Sequence, residues 1–178
     1  MRLFIAINFD KDVKRDIQTI IDKVKGYAQK GNFVSKEHMH LTLEFLGEIP
    51  EERVVDIKEA MKELNMSPFS FSLSQLGLFN RREGDIYWLG ITENKELSDV
   101  QKTLHNLLKE KEFKLEEREY TPHLTIGRKV KMENVFNPED FKQAINQILI
   151  SVGSIDLMKS ENINGKLTYT KIYSKDLK

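Results

Sequence analysis

One pattern occurs twice in this chain: His40-Leu41-Thr42-Leu43 and, 83 residues later, His123-Leu124-Thr125-Ile126. In each copy polar and apolar side chains alternate, as they do on a β-strand with one buried face. Residues two apart on a strand point the same way. His40 and Thr42 therefore share one face, and Leu41 and Leu43 the other. His123 and Thr125 stand in the same way against Leu124 and Ile126. Each apolar pair needs a core to bury against, and each polar pair faces away from that core. The repeat predicts two related lobes packed about a pseudo-two-fold, with the two polar faces turned toward one another across a cleft.

The rest of the chain supplies elements for such lobes. Residues 3–9 form a short apolar run bounded by Asp10, the pattern of a buried strand. Val13, Ile17, Ile20, Ile21 and Val24 recur at helical spacing, and Gly26 marks the end. A strand follows at 39–46. Pro50-Glu51-Glu52 opens a helix whose stripe is Val54, Ile57, Met61 and Leu64. Residues 69–74 alternate with period two, and 85–91 reads as their partner across a polar turn at 79–84. Leu97, Val100, Leu104, Leu107 and Leu108 mark a third helix. A strand at 122–128 is followed by Asn137-Pro138-Glu139-Asp140, an N-cap with proline in the first turn. Two last strands fall at 150–158 and 166–174. Helices and strands interleave, yet neighbouring strands look like hairpins. The expectation is an α+β fold of largely antiparallel sheets, with residues 1–178 as a single domain of two intertwined lobes.

Charge and composition narrow the function. Lys plus Arg equals Asp plus Glu at 28 each. Proteins that coat long nucleic acid carry a basic excess, because neutralising phosphates drives that binding. Contact with nucleic acid is therefore expected to be local, such as a terminus held in a pocket. With no cysteine in the chain, thiolate nucleophiles, disulfides and Cys-ligated zinc are excluded. No run of about 18 apolar residues offers a membrane span. These features fit a cytoplasmic protein, and a monomer is the default expectation.

Two imidazoles and two hydroxyls in one cleft suit cleavage of a cyclic phosphodiester. One neutral histidine takes a proton from the attacking water, and one protonated histidine gives a proton to the leaving ribose oxygen. Thr42 and Thr125 hydroxyls donate to non-bridging phosphate oxygens. Neither a metal nor a cofactor is required. Both copies of the pattern look alike, so the residues alone do not say which histidine is acid and which is base. Arg128 lies on the opposite face by strict alternation, but a bulge at Gly127 would turn it toward the phosphate. Arg81 and Arg82 sit on the turn as solvated charges. His105, on a polar-flanked helix, reads as a surface residue. Two other readings compete. His38, His40 and His123 together offer the ligand set of a metal-dependent hydrolase. A binder of RNA ends without catalysis is the third, although Arg or Lys would serve binding alone as well as histidine.

At these motifs the sequence resembles the RNA 2',3'-cyclic phosphodiesterases of the 2H phosphoesterase superfamily, also known as the 2'-5' RNA ligase family. The resemblance runs through Arg2-Leu3-Phe4-Ile5-Ala6-Ile7, the first motif extended to Phe45-Leu46-Gly47-Glu48, and Gly77-Leu78-Phe79. It continues in Trp88-Leu89-Gly90, in Pro122 to Arg128, and in Leu157-Met158-Lys159-Ser160 with Gly165 and Tyr169 beyond. It implies a bilobal α+β fold with a central cleft. It implies opening of 2',3'-cyclic phosphates, on RNA ends or small cyclic nucleotides, to 2'-phosphomonoesters. By that resemblance His40 would be the proton donor and His123 the proton acceptor. Formation of 2'-5' linkages between tRNA halves is a lesser activity that the family brings with it. The family often carries a tryptophan ahead of the first motif. Here Phe33 is the nearest aromatic residue, which bears on base stacking and leaves the phosphate chemistry untouched.

Overall fold

The computed structural model describes all residues, 1–178. Nine strands and four α-helices follow one another as β1 (Arg2–Asn8), α1 (Lys11–Lys25), β2 (Ala28–Phe33), β3 (His40–Glu48), α2 (Val54–Glu63), β4 (Phe69–Phe79), β5 (Asp85–Ile91), α3 (Lys95–Glu110), β6 (His123–Met132), α4 (Lys142–Asn146), β7 (Leu149–Val152), β8 (Ser154–Ile163) and β9 (Lys166–Asp176). They build two sheets of strand order β3-β1-β8-β9 and β2-β6-β5-β4-β7. Every strand pair is antiparallel. The fold is α+β, as expected.

The two sheets repeat one plan. In the first, β1 pairs with β3 after the excursion through α1, and β8 lies on β1's other side. In the second, β5 pairs with β6 after α3, and β4 lies on β5's other side. The offset between the copies is again 83 residues, since β1 starts at Arg2 and β5 at Asp85, and β3 starts at His40 and β6 at His123. The second sheet is extended where β4 pairs with β7, with Ser70 opposite Ser151 and a hydroxyl-to-hydroxyl bond of 3.3 Å between them. After Gly153 the chain leaves the second sheet as β7 and enters the first as β8. The expected single strand at 150–158 is thus two strands, each serving a different sheet.

Local signals explain the helices. Asp10 caps α1 by accepting from the Val13 amide at 2.8 Å, and Asn94 caps α3 from the Leu97 amide at 2.8 Å. Ile17, Ile21 and Val24, and likewise Val100, Leu104 and Leu108, are buried stripes. Pro50 is followed by one 3-10 turn before α2 proper begins. The segment after Asn137 starts as a 3-10 turn and continues into the short α4.

One apolar core holds residues of both sheets: Leu3, Ile5 and Ile7 of β1 and Leu89 of β5 belong to it with Leu41 and Leu124. The intervening residues of β1 point the other way. Phe4 and Ala6 form a separate small cluster with Met158, against which Tyr169 packs. This second face of the first sheet also carries His40 and Thr42. The run 3–9 looked uniformly buried because both of its faces are covered, one by the core and one by this cluster.

Candidate active site

Each motif strand does what its alternation requires. Leu41 and Leu43, and Leu124 and Ile126, are buried in the core. His40, Thr42, His123 and Thr125 are half-exposed on the opposite face. Each histidine starts its strand and stands opposite the far end of its sheet's central strand, His40 opposite Asn8 and His123 opposite Gly90. β3 and β6 belong to different sheets yet run in contact with one another. Two motif strands from different sheets are thereby brought side by side.

A backbone carbonyl holds one of the two imidazoles. The His123 Nδ1–H donates to the backbone carbonyl of Thr121 at 2.8 Å. The His38 backbone lies close enough to His40 to favour its charged form. A carbonyl only accepts, so the bonded ring nitrogen of His123 carries the proton and Nε2 keeps its lone pair when the ring is neutral. Aromatic walls flank both rings. His40 lies 4.9 Å from Phe4 and 5.3 Å from Tyr169, ring centre to ring centre. His123 lies 5.6 Å from Phe79, edge to face, and 6.2 Å from Trp88. Gly77 makes room for that tryptophan, because a Cβ there would stand 2.3 Å from the indole ring.

Burial lowers His40 to about 4, partly countered by the His38 backbone and reinforced by the nearby His38 and Lys14 side chains. In the ligand-free protein the His40 ring is therefore neutral at pH 7.

Both motif strands carry a bulge just past the threonine. On β3, Ile5 faces Glu44 and Ala6 faces Thr42, so Leu43 and Glu44 are both turned inward and buried. On β6, Tyr87 faces Gly127 and Trp88 faces Thr125, and Ile126 and Gly127 are both buried. The extra residue resets the alternation. It returns Phe45 to the His40 face and Arg128 to the His123 face, at equivalent places 83 residues apart. Arg128 also lies close enough to Tyr169, on the other sheet, for its charge to oppose the rise that burial imposes on the phenol. Arg81 stands with its guanidinium 5.8 Å from the Phe79 ring, on the rim beside His123.

Two polar ties join the lobes next to β3. The Tyr120 hydroxyl donates to the Thr42 carbonyl at 2.9 Å, and the adjoining Thr121 is the residue whose carbonyl orients His123. Glu44, although buried, accepts from Gln101 at 3.3 Å and pairs with His105 Nδ1 at 2.8 Å. Burial raises the Glu44 carboxyl above its ordinary range, and its bond to His105 opposes that. His105 is thus no surface residue: its side chain is 19% exposed and pins α3 to β3. The sequence offered no sign of this partner, because Glu44 would face outward without the bulge.

The three-histidine metal reading is not met by the geometry. The His38 ring bonds the Leu167 carbonyl through Nε2 at 3.1 Å, lies 3.4 Å from the Ser35 hydroxyl through Nδ1, and packs edge-on against Tyr169. No three His, Cys, Asp or Glu side chains are placed to hold a metal ion. Phe33 does not line the cleft either. It packs against the core, where a Cβ on Gly127 would lie 3.2 Å from its ring.

Two antiparallel sheets that set a pair of His-x-Thr strands side by side define the class: an α+β phosphoesterase fold built by internal duplication. The chain belongs to the 2'-5' RNA ligase superfamily, whose family model matches residues 12–164. A Thermotoga maritima RNA 2',3'-cyclic phosphodiesterase is 37% identical over 131 residues, covering 72% of this chain and 70% of that protein. A protein of the same name from Methanothermobacter thermautotrophicus is 28% identical over 172 residues, covering 94% and 91%. Among solved structures, E. coli LigT without ligand superposes with a TM-score of 0.82 at 22% identity, over 99% of this chain and 96% of that one. No helix is long and apolar enough to cross a membrane.

Proposed function

We propose that this protein is an RNA 2',3'-cyclic phosphodiesterase that opens the cyclic phosphate to a 2'-phosphomonoester by metal-independent acid–base catalysis between His40 and His123. The observation that carries the reading is the pair of equivalent half-sites on two contacting strands, each with its histidine and threonine on the face turned away from the core. The names of the curated relatives support the reaction class.

His123, through Nε2, takes a proton from water as the water oxygen bonds to phosphorus. The bond from phosphorus to O3' breaks, and His40 delivers a proton to that oxygen. The phosphate stays on O2'. Thr42, Thr125 and Arg128 hold its non-bridging oxygens. The donor role sets a condition, since His40 is neutral in the free protein. Lowering its pKa from 6.5 to about 4 disfavours the imidazolium by about 3 kcal/mol. A phosphodiester anion about 4 Å away contributes about 4 kcal/mol at an effective dielectric constant of 20. The bound substrate is thus able to charge the histidine that must then give up the proton. Acid chemistry is switched on by the ligand.

The test is turnover of an RNA ending in a 2',3'-cyclic phosphate, with excess EDTA throughout. The proposal expects undiminished turnover and a 2'-phosphate as sole product. A 3'-phosphate, or activity lost with the chelator and restored by a metal, contradicts it.

A further inference from the structure

The face of the second sheet that carries His123 does not end at Arg128. Val130 is buried in the core, so Lys131 projects to the opposite side; Lys129, at φ 54 in a second bulge opposite the Asp85–Tyr87 stretch, is exposed as well. The edge strand β2 follows suit. Asn32 stands opposite Arg128, and Lys30 opposite Lys131. Together with Glu83 of the β4–β5 turn, Lys30, Asn32, Lys129 and Lys131 line one shallow depression. Lys129 is ion-paired to Glu83 at 2.7 Å. Arg128, Lys30 and Lys131 are exposed. At the 83-residue offset, Lys131 corresponds to Glu48 and Arg128 to Phe45, so this cationic run belongs to one lobe only. It also stands out in a chain with equal numbers of acidic and basic residues.

We propose that this strip, from Arg128 along β6 and β2 to Lys30 and Lys131, is a docking surface for the phosphate backbone of a single-stranded RNA whose cyclic end occupies the cleft. The inference rests on the function proposed above and adds the direction in which the substrate leaves the site. From Thr125 to Lys131 the strand covers about 20 Å, a length that several extended nucleotides span. Lys30 and Lys131 make no ion pair, and a lysine is a point charge on a flexible stem, which suits sequence-independent phosphate contacts. The chain's neutral balance confines that attraction to the last nucleotides of the RNA.

Length and salt dependence test it. Two substrates are compared: a 2',3'-cyclic mononucleotide, too short to reach Lys131, and a hexanucleotide ending in a 2',3'-cyclic phosphate. In the wild type, kcat/KM is expected to be at least about tenfold higher for the hexanucleotide at low salt, with the advantage shrinking as salt rises. Each phosphate neutralised on a single strand contributes about 0.7 to the log–log salt slope. Lys30→Gln with Lys131→Gln should therefore lower that slope by about 1.4 and remove most of the hexanucleotide-to-mononucleotide ratio. An equal ratio in wild type and variant, or no length advantage in the wild type, overturns the proposal. Binding of a hexanucleotide ending in 2'-phosphate, followed by fluorescence anisotropy, reads the strip without catalysis. Loss of turnover with salt-sensitive, lysine-dependent binding retained would sink the proposed reaction alone. Binding unaffected by the two substitutions would sink the strip.

Discussion

At the residue scale the site depends on few contacts, and each is separable. The least visible is Tyr120. Its hydroxyl bonds the Thr42 carbonyl while the next residue orients His123, so one side chain sets the spacing between the two half-sites. Tyr120→Phe removes only that hydroxyl. It leaves a buried carbonyl unpaired, at a cost to stability of about 1–3 kcal/mol. Steady-state kinetics should show kcat reduced several-fold with KM nearly unchanged, since the phosphate ligands stay in place. A variant with wild-type kcat at a temperature where it is fully folded would show that the tie does not position the imidazoles. Little of this was readable beforehand. The alternation of His-x-Thr placed four side chains, but the bulges at Leu43–Glu44 and Ile126–Gly127 decide where Phe45, Glu44 and Arg128 point. Only Gly127 hinted at one of them.

At the element scale, the strands with a buried face and the long helices were legible, because period-two and helical spacing survive wherever one side meets the core. β2 was not. Its sequence, Ala-Gln-Lys-Gly-Asn-Phe, has no alternation, and as an edge strand it is held by hydrogen bonds to β6 with little buried surface. The split of the 150–158 strand shows only as a change of phase at Gly153, from Ile150 and Val152 to Ile155 and Leu157 in the core. Packing between elements makes its own prediction. Gly77 on β4 exists for Trp88 on β5, and Trp88 in turn walls His123. Gly77→Ala should displace the indole and destabilise the protein by about 1–3 kcal/mol, as overpacking does. Urea denaturation reads the loss, and an unchanged midpoint would mean that the indole has room to move.

At the scale of the whole molecule, repetition links fold and chemistry: one plan used twice makes two sheets, and the contact of β3 with β6 brings two equivalent strands together. The copies have diverged in charge, with Phe45 and Glu48 in one lobe against Arg128 and Lys131 in the other. His40 has a folded pKa near 4 against 6.5 unfolded. The unfolded chain therefore binds a proton that the folded protein refuses as pH falls through 6.5, and stability is lost between about pH 6.5 and pH 4. His40→Ala should flatten that part of the denaturation midpoint's pH dependence, and a slope identical to wild type would contradict the burial of the ring. The central claim, that two imidazoles from two lobes share one proton-transfer reaction, is tested most directly by single-turnover rates of His40→Ala, His123→Ala and the double variant on a cyclic-phosphate RNA. Each single variant should be slower by about 10²–10⁴, and the double variant far less impaired than the product of the two factors, as for groups that act as a unit. Near-wild-type rates in either single variant would contradict the account.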